Sequence, residues 1–200
     1  MGNSIGLFPT PLGIYDIPKG ILKKEDLAVE KELLSTQPND GNIISTTRSI
    51  LDNPELKRIK LFIQNSVQDY VVNVCDYKLP DLKLTQSWAN LTNTGQFHHE
   101  HIHQNSLFSG SFYIKTTEQD IIQFHNSKVH EFSLNVEKQN PYNSDTWWMP
   151  ATTGRLYIFP SNLKHSVPPV YHATTRVSIS FNVFPNSPIG SVANSNYLPL

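Results

Sequence analysis

Four histidines crowd into Phe97-His98-His99-Glu100-His101-Ile102-His103. In an extended chain alternate residues share a face, so His99, His101 and His103 are expected on one side and His98, Glu100 and Ile102 on the other. Neutral imidazole is a ligand for divalent transition metals, but a protein site needs a further ligand from elsewhere in the chain. His165 offers it, at the end of Arg155-Leu-Tyr-Ile-Phe-Pro-Ser-Asn-Leu-Lys-His165 and just past a run that reads as a strand buried on both sides. A histidine-rich stretch alone also reads as a surface cluster or an adventitious metal site. A close pair combined with a distant third histidine is the stronger signal, because three protein ligands on one side of an ion leave positions open for a cosubstrate and O₂.

Arg176 supplies a second clue. In the run Thr174 to Phe184, Val177, Ile179, Phe181 and Val183 form one apolar face, and Arg176, Ser178, Ser180 and Asn182 form the other. If the apolar face packs under helices, the arginine faces a barrel interior, where an unpaired charge is costly and an anion is required. A dicarboxylate meets that requirement through paired hydrogen bonds from the guanidinium, with Ser178 adding another. The plainer reading is a strand whose polar face meets solvent, as half of most antiparallel strands do.

The elements that must position these groups change character near residue 80. Lys24 to Ser35 is a short amphipathic candidate helix. A stronger one opens at Asp52-Asn53-Pro54-Glu55, with a capping residue and a first-turn proline, and carries Leu56, Ile59, Ile63, Val67, Tyr70, Val71 and Val74 on one face. From Leu82 onward short β-rich runs alternate with turn residues. Strands are expected near 83–92, 107–115, 121–125, 131–136, 155–160 and 174–184. A turn is expected at Pro150–Gly154, an interruption at Pro168-Pro169 and a surface tail at 185–200. The expected architecture is mainly β, a barrel or sandwich over 82–184 with helical support from 1–80 covering one face, all within one domain spanning 1–200.

Composition narrows the partners. A net charge of −1 over 200 residues provides no basic field for a phosphate backbone, so nucleic acid is not expected. Cys75 is the single cysteine, which excludes an internal disulfide and any metal site needing two thiolates. No window approaches a membrane span and no secretory pattern opens the chain, so a cytoplasmic protein is expected.

The blocks His101 to Ile114, Gly154 to His165 and Arg176 to Asn182 together resemble a group of 2-oxoglutarate/Fe(II) oxygenases of bacteria and tailed phages, related to prolyl hydroxylases. Leu7 to Leu12 resembles the first strand of that group, and Ser87-Trp88-Ala89-Asn90 the strand before its metal motif. The resemblance implies a double-stranded β-helix, the jelly-roll or cupin-like barrel, and a cytoplasmic enzyme of the host if phage-encoded. It implies Fe(II) on His101 and His165, with His103 where most of the superfamily has a carboxylate. It also implies 2-oxoglutarate held by Arg176, Ser178 and Tyr113, with Asn90 and Asn105 lining the pocket. The activity implied is O₂-dependent oxidation, here of an unidentified small molecule or peptide, with release of succinate and CO₂. His98-x-Glu100 has the same spacing as the usual motif, but alternation places Glu100 opposite His101, so His101, His103 and His165 are the expected ligands.

Two other readings use the same histidines. A three-histidine cupin-type dioxygenase without a keto acid leaves Arg176, Ser178 and Tyr113 unexplained. A non-catalytic metal-binding barrel module, such as a phage accessory protein, needs no cosubstrate at all. Trp147 and Trp148 read either as a border of the substrate cleft or as one core and one surface residue, and loops 116–130 and 137–150 are expected at the barrel mouth. His125, His130 and His172 have no partner pattern.

Overall fold

A computed structural model describes residues 5–20, 22, 29–31, 35–78, 81–127 and 134–200. The strong helix begins as its sequence dictates. Asn53 Oδ1 accepts the Glu55 backbone N–H at 2.9 Å, Pro54 occupies the first turn, and a 3₁₀ turn (Pro54–Leu56) runs into helix α1 (Lys57–Asp69). The helix finishes in a π turn (Tyr70–Val74). Leu56, Ile59, Ile63, Val67, Tyr70 and Val71 are buried as the periodicity requires. Val74 is 52% exposed, because the wider π turn rotates it off the stripe. The candidate helix Lys24–Ser35 lies largely outside the described residues, within which Val29, Glu30 and Lys31 are helical.

Eleven strands are described: β1 (Gly13–Asp16), β2 (Thr36–Pro38), β3 (Ile43–Ser45), β4 (Leu82–Thr92), β5 (His98–His101), β6 (Phe108–Lys115), β7 (Ile121–His125), β8 (Thr146–Pro150), β9 (Arg155–Pro160), β10 (His165–Val167) and β11 (Arg176–Pro185). One sheet has the order β1-β9-β6-β11-β4-β3-β2 and the other β5-β10-β7-β8, antiparallel throughout. The chain passes from sheet to sheet between β4 and β11, which makes this pair of facing sheets a double-stranded β-helix. The two sheets face one another, and side chains from their inner faces meet between them.

The N-terminal 80 residues are not purely helical support. They add β1 to one edge of the large sheet and β2–β3 to the other. The expected first strand at Leu7–Leu12 starts only at Gly13, where pairing to β9 begins (Gly13↔Ile158). Residues 134–136 are not strand, and 131–133 lie outside the described residues. Thr146–Pro150, expected as loop, pairs with β7.

The core has two parts. Val177, Ile179, Phe181 and Val183 meet Ile59, Ile63, Val67 and Tyr70, so the apolar face of β11 does lie under the helix. Tyr113, Ile122, Phe124, Tyr157 and Phe159 pack in a smaller cluster between the sheets. Gly110 lets β6 pass through this packing, since a Cβ there would meet the Phe181 ring and lie 2.7 Å from the Tyr157 carbonyl oxygen. Gly110→Ala is expected to lower stability by about 1–3 kcal/mol through overpacking. Urea unfolding should show the midpoint falling with an unchanged m-value; an unshifted midpoint would contradict this packing.

Candidate active site

Strand β5 delivers the histidine cluster, and its register decides which rings turn inward. His165 pairs with His101 and Val167 with His98, so three steps on β5 oppose two on β10. The extra residue breaks the alternation expected from sequence. His98 therefore faces the cavity beside His101, with ring centroids 4.3 Å apart. His99 is instead diverted to the rim, where Nδ1 lies 3.5 Å from an Asp40 carboxylate oxygen. Glu100 points away from the cavity, as expected, and pairs with Lys164 at 2.7 Å and His125 at 3.1 Å.

His101, His103 and His165 come together from two segments, and each has a ligand atom within 4.8 Å of the others. In each ring Nδ1 is already engaged: His101 with the His99 carbonyl at 2.8 Å, His165 with the Leu163 carbonyl at 2.9 Å and His103 with Asn182 Oδ1 at 2.6 Å. Each acceptor demands a proton on Nδ1, so in the neutral rings every Nε2 carries a bare lone pair. The Nε2 atoms of His103 and His165 lie 3.3 Å apart. Two lone pairs at that distance repel unless a cation lies between them. Imidazole nitrogens ligating one ion at about 2.1 Å and at right angles are about 3 Å apart. The donor set thus fits a divalent metal.

Burial keeps these rings neutral. It pushes the His103 imidazole down to about 4 and His98 down to about 3, and holds His101 below and His165 well below the ordinary histidine value, with the neighbouring imidazoles adding to the effect. Between the ordinary value near 6.5 and these lowered values the unfolded chain binds more protons than the folded one. The metal-free protein is therefore expected to be fully stabilised by these groups above about pH 6.5 and to lose stability as pH falls toward about 4. Thermal melts of metal-free protein between those limits should show Tm falling with pH, and replacing His98 by Leu should flatten the slope. An equal slope in the variant would refute the assignment.

The far end of the cavity belongs to β11. Arg176 pairs across the ladder with Thr92, and Ser178 with both Asn90 and Tyr113. Arg176 is 3% exposed, its Nη1 donates to the Ile121 carbonyl at 2.7 Å, and its guanidinium carbon lies 5.1 Å from the Tyr113 ring centroid. The remaining guanidinium donors exceed what these contacts use. The Tyr113 hydroxyl is buried without a hydrogen-bond partner among the described residues. A buried cation beside an orphaned hydroxyl is a cradle for an anion.

Arg176, Ser178, Ser180, Asn90, His101, His103 and His165 all line one cavity. Tyr113 does not; it lies behind Arg176 and meets it through the ring face. Asn90 is engaged on both sides, accepting from Trp88 Nε1 at 3.2 Å and donating to Ser180 Oγ at 2.9 Å. Asn105 is not a pocket residue. It occupies an exposed turn with φ 55°, a left-handed conformation that asparagine tolerates, and this conformation is what the turn between β5 and β6 requires of it.

Several neighbours had no assigned role in the sequence. Asn42, delivered by the β2–β3 hairpin, and His98 line the cavity. Trp88 stacks on His103 with centroids 5.7 Å apart. His172, read as an ordinary histidine, lies 3.1 Å from the buried carboxylate of Asp120. His125 bonds Ser166 at 2.8 Å on the outer face, and His130 lies outside the described residues. Trp147 and Trp148 are both exposed, at 42% and 61%, so neither is the core residue of the pair.

A double-stranded β-helix with three histidines on one inner wall facing a buried arginine has the architecture expected of a non-haem iron oxygenase. Residues 86–182, which contain all of these inward-facing histidines and the arginine strand to Asn182, match the family model described as "Putative 2OG-Fe(II) oxygenase". Over residues 86–182 the chain is thus similar to the 2-oxoglutarate/Fe(II)-dependent oxygenases, whose cofactor set is Fe(II), 2-oxoglutarate and O₂. No curated protein matches.

Solved structures share the fold at low identity. A prolyl-4-hydroxylase of Pseudomonas putida superposes with TM-score 0.59 at 12% identity, covering 89% of this chain and 94% of its own. The α-ketoglutarate-dependent epimerase SnoN of nogalamycin biosynthesis gives 0.63 at 11%, with 88% and 77% covered. HygX of Streptomyces hygroscopicus, crystallised with nickel and 2-oxoglutarate, gives 0.61 at 11%, with 88% and 83% covered. Among the described residues no helix is long and apolar enough to cross a membrane.

Proposed function

We propose that the protein oxidises a small-molecule or peptide substrate with O₂ and 2-oxoglutarate, releasing succinate and CO₂, and that His101, His103 and His165 hold the iron. One observation carries this reading: three imidazoles with Nδ1 anchored and ligand atoms within 4.8 Å of one another, in the same cavity as a buried arginine that has no ion-pair partner among the described residues.

Fe(II) bound here supplies the O₂-activating chemistry, in which one oxygen atom enters the substrate and the other enters succinate. The chain's own residues do the positioning. Arg176 offers paired donors to the distal carboxylate of 2-oxoglutarate, Ser178 adds a hydroxyl beside it, and Tyr113 backs the guanidinium through its ring face. Asn90 is held rigid by Trp88 and Ser180 and presents a fixed wall. With the histidines neutral, the guanidinium is the chain's own positive charge available to the distal carboxylate of the cosubstrate. Phe159 and Ile122 add apolar lining to the same cavity.

Anaerobic titration of metal-free protein with Fe(II) and 2-oxoglutarate tests this. A weak visible charge-transfer band should appear in the wild type and be absent from both Arg176→Ala and His165→Ala. Iron binding without the band would favour the three-histidine dioxygenase without a keto acid, and no iron binding would favour the non-catalytic module.

A further inference from the structure

Where three neutral histidines ligate a metal, each ring's orientation depends on what holds its Nδ1. Two of the three are held by main-chain carbonyls of their own segments, His99 and Leu163, two residues away. His103 is different. Its strand has ended at His101, and its ring is held by a side chain 79 residues distant, Asn182.

Asn182 is itself fixed from several sides. It is 7% exposed and lies on β11 next to a register shift between Asn182 and Val183, the kind of irregularity that re-aims a side chain. Its Oδ1 accepts from His103 Nδ1 at 2.6 Å and from Ser109 Oγ at 3.0 Å, and its Nδ2 donates to Gln86 Oε1 at 3.5 Å. That pattern sets which end of the amide meets the histidine. Ser109 is 2.7 Å from Ser161 Oγ, which donates to Ser106 Oγ at 2.8 Å, and Ser106 in turn donates to the Phe108 carbonyl at 2.7 Å. The same Ser161 accepts the His103 backbone N–H through its carbonyl at 2.9 Å. Both the backbone and the ring of His103 are thus tied to one buried network.

We propose that Asn182, backed by Ser109, Ser161 and Ser106, is the positioning residue that makes His103 an Nε2 metal ligand at the place where the class usually has a carboxylate. The proposal rests on the reading of the three histidines as the metal site. A histidine beyond the end of its strand has freedom that the other two lack, and the network removes it. Such outer hydrogen-bond partners fix tautomer and ring direction, and their loss typically costs about 10–100-fold in metal affinity.

Cobalt(II) is the probe, because the Nδ1 protons of ligating histidines give separate, solvent-exchangeable, strongly shifted proton NMR signals. The wild type should show three such signals. Asn182→Leu should lose one, and bind Co(II) about 10–100-fold more weakly. Asn182→Asp, which keeps an acceptor at the same place, should retain three signals with one displaced. Fewer than three signals in the wild type would defeat the three-histidine site itself. Three in the wild type and three in Asn182→Leu, at unchanged affinity, would leave the site standing and overturn the role of Asn182. If Asn182→Leu does not fold, Asn182→Asp decides: loss of the third signal in that variant overturns the proposal, and its retention at a displaced position upholds it.

Discussion

His165→Ala is expected to abolish tight Fe(II) binding, with a loss beyond the roughly 100-fold upper end seen for outer-sphere partners, because it removes a ligand outright. The residue is 6% exposed and presents its Nε2 3.3 Å from that of His103, so no solvent-exposed side chain can swing in to replace it. The variant should still fold, since the ring leaves a space bordered by polar groups that water can fill. His98→Ala is the informative partner. His98, His99 and His101 also bring ligand atoms within 4.8 Å of one another, and His101 has only its Nε2 to give, so one ion can use it at a time. Isothermal titration with Fe(II) under anaerobic conditions should show His98→Ala close to wild type and His165→Ala without measurable binding. The reverse pattern would place the ion in the rim cluster and refute the three-histidine site at His165.

Arg176→Ala is expected to weaken 2-oxoglutarate binding by roughly 10- to 150-fold while leaving Fe(II) affinity unchanged. The figure follows from about 1.5–3 kcal/mol for a hydrogen bond to a charged group, at about 1.4 kcal/mol per tenfold. Arg176→Lys should recover only part of the loss, because an ammonium cannot offer two parallel donors. A second readout separates this role from a structural one. A buried guanidinium with no ion-pair partner among the described residues is a cost to the cosubstrate-free fold. Arg176→Met, which keeps the length and drops the charge, should therefore melt at or above the wild-type temperature without 2-oxoglutarate and gain nothing when it is added. A wild-type Tm that 2-oxoglutarate does not raise, or an Arg176→Met variant that it still stabilises, would sink the assignment.

The strand bearing Arg176 was legible because it obeys a strict period of two. Val177, Ile179, Phe181 and Val183 pack beneath α1, and Arg176, Ser178, Ser180 and Asn182 line or approach the cavity. The helix was legible for the same reason at a period near 3.6, until the π turn displaced Val74. The histidine cluster misled where a bulge intervened. His98 was expected outward and His99 inward, and the extra residue opposite β10 exchanges them. Asn105 was misplaced because a turn asparagine serving backbone conformation looks, in sequence, like any other polar residue near a metal motif.

What the chain determines alone is periodicity and residue chemistry: an apolar face on α1, an apolar and a polar face on β11, histidines in numbers that suit a metal, and an arginine that burial would make hungry for an anion. These are local properties, set by side-chain type and by the geometry of a helix or strand. Only the tertiary structure decided which histidines meet, that all three Nδ1 atoms are occupied, and that Asn182 reaches across 79 residues to hold His103. It also decided that β1–β3 extend the large sheet. Those outcomes depend on register and bulges between distant strands, and a one-residue slip in register reverses the face of every side chain after it.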